Sequence, residues 1–578
     1  MDRCFTAIIF VMMLGLAAIL NFSFVANCVE EVIVVEEGES IQEAINRASP
    51  GSIIKIMPGK FREQLEINKT LTIIGSGNET VILGSGATVS VKIVRGVTDV
   101  ILSNLCIDGA GSYKATGLLI QQSNYNKLLN LTIVNFYRGL RIYDSSQSIL
   151  RNVVLHNNTY NLEVYGLYLS HFLHDIDESN IVNGKRIYYL VNKHNVSLTG
   201  DAGYVALVNS TGVKVANMKL SDNFSGLLLA YTNSTEVCNV TCTQNVQGIR
   251  LVNSHNITIR ECSLISNEWS GISLEPATMC RIYLNTFKFN GHGLYLSFSP
   301  YILQMKTMFN KIYLNEFSNN SVAIYVDEVG LNKIYNNNFV ENNYAIKVDG
   351  ASGNLFFHNN FIHNTEDVEI LSTAFSNVTN IWDNGYPSGG NFWLKNNGSD
   401  KYRGLLQNEE GSDGIMDEPY LVGFNNVDRY PLFSPVTSII VNQLDENPFE
   451  IYGFSKVYNF SFNPSAPPHI NFRVMFDAKF NFCRVGMPKN LIWAEADGWK
   501  VTLNGSEVEF EVFSSENYTF LCFKLSDSVN GGVIDVKVSG MWAISEYPSI
   551  GTVIAIFIGS MVYFKFVKKC LGRSVQKS

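Results

Sequence analysis

Apolar residues in this chain alternate with polar ones in short runs, and a glycine or alanine opens many of those runs. Gly117 (GLLI), Gly139 (GLRI), Gly203 (GYVALV), Gly226 (GLLLA), Gly248 (GIRL), Gly271 (GISL), Gly293 (GLYL), Ala323 (AIYV) and Ala345 (AIKV) recur mostly about 22 or 23 residues apart. A second ladder runs through Asn310, Asn332 and Asn354, repeats five residues later at Asn315, Asn337 and Asn359, and again at Asn320, Asn342 and Asn364. Pairs such as Ile312/Phe317 and Ile334/Phe339 stand between its rungs. Period-2 alternation sends one side of each strand inward. Asn suits left-handed turns, and its amide can bond to the Asn one coil above. Helical periodicity is absent, and a flat antiparallel sheet needs no constant register. The pattern predicts an all-β, parallel β-helix of about 22-residue coils.

Upstream, Ser40 to Ser49 reads as a short amphipathic helix with Ser40 as N-cap and Glu43 at the capping-box position. Such a helix covers the first apolar coil of a solenoid. The predicted organisation is a cap over 29–60, a β-helix over 61–435 with an insertion at 171–195, and a β-sandwich-like stalk domain over 436–541.

Both ends carry membrane signals. Residues 7–20 are apolar behind Arg3, and 1–28 read as a secretory signal peptide. Residues 547–566 read as one transmembrane helix, and the positive charge after it assigns 567–578 to the cytoplasm. The expected location is the cell membrane, single-pass, with a large extracellular N-terminal region and a cytoplasmic C-terminus. About sixteen Asn-x-Ser/Thr sequons in the body agree, among them Asn68, Asn130, Asn195, Asn233, Asn256, Asn377 and Asn517. Net charge is −9 with no basic patch, which argues against nucleic acid as a partner. Cys238, Cys242, Cys262 and Cys280 lack zinc spacing, and Cys483 with Cys522 could pair outside the cell.

The segment ESIQEAINRASPGSIIKIMPGKFREQLEINKTLTIIGSG resembles the opening of right-handed β-helix proteins of the pectin-lyase-like superfamily. The Asn ladder resembles NosD-type repeats. DIDESNIVNGKRIYYLVNK (175–193) resembles an insertion of archaeal NosD-like surface proteins, and GGNFWLKNNGSD…GSDGIMDEPYLV…NNVDRYPL (389–432) resembles their closing segment. The resemblance covers about 30–435 and implies a right-handed parallel β-helix. It also raises two activities: cleavage of acidic polysaccharides, as in the superfamily's enzymes, and copper-site assembly, as in NosD-type proteins.

The chemical candidates are few. Gly291-His292-Gly293 lacks the companion carboxylate motifs of a glycosidase, and His292 reads as a turn residue. The 171–195 insertion gathers Asp175, Asp177, Glu178 and Arg186 as candidate acid/base groups. Asn183-Gly184 reads as a tight hairpin turn. His171, His174 and His194 are the candidate copper ligands, but an i, i+3 pair splits across a strand, so no stoichiometric copper site is expected. Glu410, Asp413 and Asp417 lie in an acidic, Gly-containing loop suited to weak Ca2+ binding. The leading expectation is a non-enzymatic protein that binds polysaccharide or cell-envelope glycans. The alternatives are a carbohydrate lyase or hydrolase, a copper-related accessory protein, and a structural or adhesive surface protein.

Overall fold

The computed structural model describes residues 31–110, 114–298, 306–371, 378–441, 447–453, 457–475, 482–525 and 533–543. The signal peptide expected at 1–28, the transmembrane helix expected at 547–566 and the tail at 567–578 lie outside the described residues. Among the described residues no helix is long and apolar enough to cross a membrane. The chain divides into two units, residues 1–166 with 170–183, and residues 167–169 with 184–578.

The first unit opens with the strand Val32–Val35 and the helix Ile41–Arg47, which buries Ile41, Ala44 and Ile45. Ser40 caps the helix by accepting from the Glu43 N–H. Glu43 does not reciprocate as a capping box would. The Glu63 carboxylate instead accepts from the N–H groups of Ile41 and Gln42, supplying negative charge at the helix start. Parallel strands then stack in register, Leu118 against Leu140 and Leu140 against Leu162.

The second unit is a right-handed parallel β-helix. Leu227, Ile249, Ile272, Leu294, Ile324 and Ile346 follow one another in register, all fully buried. Most coil steps are 22 or 23 residues, with steps of 17 from Ile187 to Tyr204, 30 from Leu294 to Ile324 and 32 from Asn360 to Phe392. The opening glycine is set by close approach: a Cβ at Gly248 would lie 2.5 Å from the Gly271 carbonyl oxygen.

The Asn ladder is internal and continuous. Each Nδ2 donates to the Oδ1 of the Asn one coil on, at 3.0 Å from Asn285 to Asn315, Asn315 to Asn337 and Asn337 to Asn359. That Oδ1 also accepts the backbone N–H of the preceding rung. The rungs themselves are not the left-handed residues. Positive φ falls on the residue before each, including Leu314 (56°) and Phe309 (59°). Such residues strain in that region, so the ladder rather than local preference holds the turn.

Phe287, Phe317, Phe339, Phe361 and Trp393 form a stacked column through the core, with centroids 4.2 to 5.2 Å apart. The segment resembling a closing motif ends both series. Asn391 takes the rung after Asn359, and the Asp428 carboxylate accepts from the Asn391 N–H (2.7 Å) and the Trp393 indole (2.9 Å).

The described residues between 436 and 543 form two antiparallel five-stranded sheets over one apolar core that includes Phe449, Val485, Phe472 and Val536. Cys483 faces that core. Cys522 is in register with Arg484, the next residue along, so its thiol emerges on the opposite face and donates to the Asp413 carbonyl. Alternation along the strand therefore prevents the pairing considered from sequence. Between the last coils and the sandwich, buried Glu450 accepts from His358 Nδ1 (2.8 Å), the Tyr452 hydroxyl (2.6 Å) and Asn336 Nδ2 (3.2 Å).

Candidate functional site

The 171–195 segment holds the expected tight turn at Asn183-Gly184 together with a helical turn that the sequence reading did not include. Leu169–Phe172 is a 3-10 turn, so His171 lies on helical rather than strand backbone. Asp175–Ile176 and Ile181–Val182 continue the parallel ladder against Ile149–Arg151 and Val154–His156. This coil steps by 26 and 27 residues, so the 22-residue register is broken here. Asn183 (φ 47°) and Gly184 (φ 79°) carry the two positive angles of a type I′ turn.

The acid/base candidates are tied to a cation. Arg151 pairs with Asp175 and, at 3.1 Å, with Asp177, so one guanidinium serves both carboxylates. Asp177 also accepts from the Ser179 N–H. Glu178 and Arg186 are exposed. His171 Nδ1 lies 3.3 Å from Asp144. His174 is buried, and burial, with neighbouring His171, pushes its pKa down to about 4. Its neutral ring accepts from the Ser148 N–H at Nδ1 and donates to the His171 carbonyl at Nε2. Both nitrogens are thereby engaged. His194 is exposed and belongs to the other unit. Among the described residues no group of three or more His, Cys, Asp or Glu could hold a metal ion.

In the acidic loop the carboxylates hold backbone instead of converging. Asp417 accepts from the N–H groups of Lys401 and Tyr402, and Asp413 from that of Ile415. Glu410 is exposed on the short strand Glu409–Glu410. The unforeseen member is Asp400, which accepts from the N–H groups of Asp413 and Gly414. Burial, and then the Asp413 charge, push its carboxyl up to about 7. The folded chain therefore binds this proton more tightly than the unfolded one. The associated stabilisation is complete below about pH 4 and is lost as pH rises through 7. Asp400→Asn is expected to flatten that decline between pH 4 and 8 in a urea-unfolding series.

The best-assembled surface lies on the outer face of the second unit. The third residues of the strand openings form one row of register partners, in which Arg250 and Ser273 are buried and Tyr295, Tyr325, Lys347 and Glu369 are half-buried. Trp269, 45% exposed, meets His292 edge-on with centroids 4.8 Å apart. His292 stacks on Tyr325 at 5.4 Å, and Tyr295 lies 5.4 Å from Tyr325. His292 is thus the first residue of the strand His292–Leu296 and part of an aromatic platform, not a turn residue. Its Nδ1 donates to the Trp269 carbonyl (3.0 Å). Burial, and further Lys347, hold its pKa below the usual histidine value.

Carboxylates edge the platform. The Tyr295 hydroxyl donates to Asp327 (2.7 Å) and the Tyr325 hydroxyl to Asp349 (3.3 Å). Burial raises both phenols, followed for Tyr295 by its bond to Asp327 and for Tyr325 by the Asp327 charge; Tyr325 is pushed up to about 12. Lys347 lies near the Tyr344 and Tyr325 rings (5.4 and 5.9 Å) and pairs with Glu369 at 2.7 Å. Flat apolar faces bordered by hydrogen-bonding carboxylates suit a ligand with C–H faces and hydroxyl edges.

The sequon residues differ in availability. Asn68, Asn195, Asn233 and Asn517 are exposed. Asn130 and Asn256 are exposed too, but Asn130 Nδ2 donates to Asn104 and Asn256 Nδ2 to Ser234. Asn377 lies outside the described residues.

Fold and repeat together define a right-handed parallel β-helix protein. Residues 178–398, less than half of the chain, match the family model described as Periplasmic copper-binding protein (NosD). No curated protein matches the chain. Among solved structures, the A-module of the Azotobacter vinelandii mannuronan C-5 epimerase AlgE6 is similar, at 14% identity and TM-score 0.25 over 59% of this chain and 91% of that one. PfbA, a surface adhesin of Streptococcus pneumoniae, is similar at 11% identity and TM-score 0.26, over 57% and 88%. An alginate lyase from Paenibacillus sp. str. FPU-7 is similar at 14% identity and TM-score 0.24, over 59% and 98%.

Proposed function

We propose that this is a membrane-anchored extracellular β-helix protein that binds polysaccharide or cell-envelope glycans on the face built by Trp269, His292, Tyr295 and Tyr325. The observation that carries the reading is that cluster, in which an exposed indole and two phenols bridge adjacent coils beside Asp327 and Asp349. Aromatic faces cover sugar C–H surfaces, and carboxylates accept from sugar hydroxyls. The column repeats once per coil, about 4.8 Å along the solenoid, which suits an extended glycan lying along it.

The extracellular reading rests on the signal-like residues 7–20 and the sequon density, and anchoring rests on the sequence of 547–566. The periplasmic description of the matching family points the same way.

A glycan array identifies the ligand, and titration of the full chain measures its affinity. Trp269→Ala with Tyr325→Ala is expected to weaken binding at least tenfold while leaving the melting temperature of the fold nearly unchanged. Undiminished binding in that double variant would refute the assignment of the face.

A further inference from the structure

A second surface lies on the last described strand of the sandwich. Ile492–Trp493 and Trp542–Ala543 pair antiparallel as a two-stranded sheet separate from the two larger ones. Trp493 stands opposite Trp542, and Ile492 opposite Ala543. Alternation turns Ile492 into the sandwich core, where it is fully buried, and turns both indoles outward. The two rings stack with centroids 5.0 Å apart at 19°. Trp493 stays 38% exposed and Trp542 49%.

Met541 extends this patch. It is exposed, and its N–H donates to the Trp493 carbonyl (3.2 Å). Its side chain packs on Gly498, where a Cβ would lie 2.3 Å from the sulfur. The three side chains are thus held in place by a backbone ladder and a close glycine contact. A contiguous apolar patch presented to water on a firm support marks a surface that meets protein or lipid.

The chain that follows favours lipid. Only Ile544, Ser545 and Glu546 separate Ala543 from residues 547–564, which carry no charge. Four residues reach at most about 14 Å, so a bilayer crossed by that run starts within this distance of Ala543. Indoles prefer the headgroup layer, where the ring is apolar and the N–H is wet. The neighbouring charges are Asp497, exposed on the 3-10 turn Ala496–Gly498, and exposed Glu495 before it. Anionic lipid attracts basic residues, so indole burial rather than charge makes this contact.

We propose that Trp493, Trp542 and Met541 lie in the headgroup layer of the membrane and seat the sandwich directly on it. The proposal rests on the reading of 547–566 as a membrane anchor. The sandwich is then a footing on the bilayer, not a free-swinging stalk.

Reconstitution of the full chain into phosphatidylcholine vesicles whose acyl chains are brominated near the headgroup tests it, because bromine quenches nearby indoles. Residues 547–564 contain no tryptophan, so the quenching reports the domains outside the bilayer core. The parent is expected to be dimmer in brominated than in unbrominated vesicles. That quenching is expected to be at least threefold smaller in Trp493→Phe with Trp542→Phe, at an unchanged melting temperature, and to persist in Trp269→Phe. A chain that floats with the vesicles but is unquenched, or is quenched equally in the double variant, would overturn the proposal, leave the anchor standing and give the face to a protein partner. A chain that does not float with the vesicles would overturn both.

Discussion

Asn337→Ala is expected to destabilise the protein by about 3–5 kcal/mol, because five hydrogen bonds meet at one fully buried amide. Its Nδ2 donates to the carbonyls of Ile312 (2.9 Å) and Tyr335 (3.0 Å) and to Asn359 Oδ1 (3.0 Å). Its Oδ1 accepts from both the backbone and the side chain of Asn315, each at 3.0 Å. Alanine removes the amide and leaves these partners dry. Each unsatisfied buried group costs about 1–3 kcal/mol, and partial relaxation keeps the total below the sum. The exposed Lys219 makes the control: Lys219→Ala is expected within about 0.5 kcal/mol of the parent. Urea unfolding followed by circular dichroism reads both. Equal effects would mean that the ladder does not carry the coil stack.

Glu450→Ala is expected to cost a comparable 3–5 kcal/mol, since removing one partner strands the others in a buried setting. His358 Nδ1, the Tyr452 hydroxyl and Asn336 Nδ2 all point at this carboxylate. Burial alone pushes the carboxyl up, but His358, Tyr452 and Asn336 together outweigh it and hold the pKa below the ordinary 4.5. The stabilisation is present above pH 4.5 and is lost as pH falls through the lower folded value. Glu450→Gln keeps the shape without the charge, so it is expected to be less damaging at pH 7 and to show a shallower acid limb. An acid limb identical to the parent's would show that the pair does not set it.

The solenoid was legible because its causes repeat. Each coil needs the same inward residues, so Ile312/Phe317 and the Asn rungs recur at nearly constant spacing. The left-handed position was misplaced by one residue, because Asn suits that conformation by itself, whereas the ladder imposes it on Leu314 and Phe309. The aromatic platform was obscure for the opposite reason. Tyr295 and Tyr325 touch across a 30-residue coil, and each is ordinary among its sequence neighbours. A signal was present in the repeat openings: the third letters of GIRL, GISL, GLYL, AIYV and AIKV spell the row of register partners. The acidic groups misled because spacing cannot tell a carboxylate that holds a cation from one that holds its own loop, as Asp413 and Asp417 do. Asp400, the group closest in effect to Asp413, lies outside that spaced motif.

Oxidative footprinting of the full chain, with and without the oligosaccharide selected on the glycan array, tests the central claim most directly. Trp269 is 45% exposed on the platform, while Trp493 and Trp542, stacked on each other in the sandwich, are 38% and 49% exposed and serve as internal references. Glycan binding on the platform predicts that oxidation of Trp269 and His292 falls severalfold while Trp493 and Trp542 are unchanged. Saturating glycan that leaves Trp269 as reactive as before would contradict it.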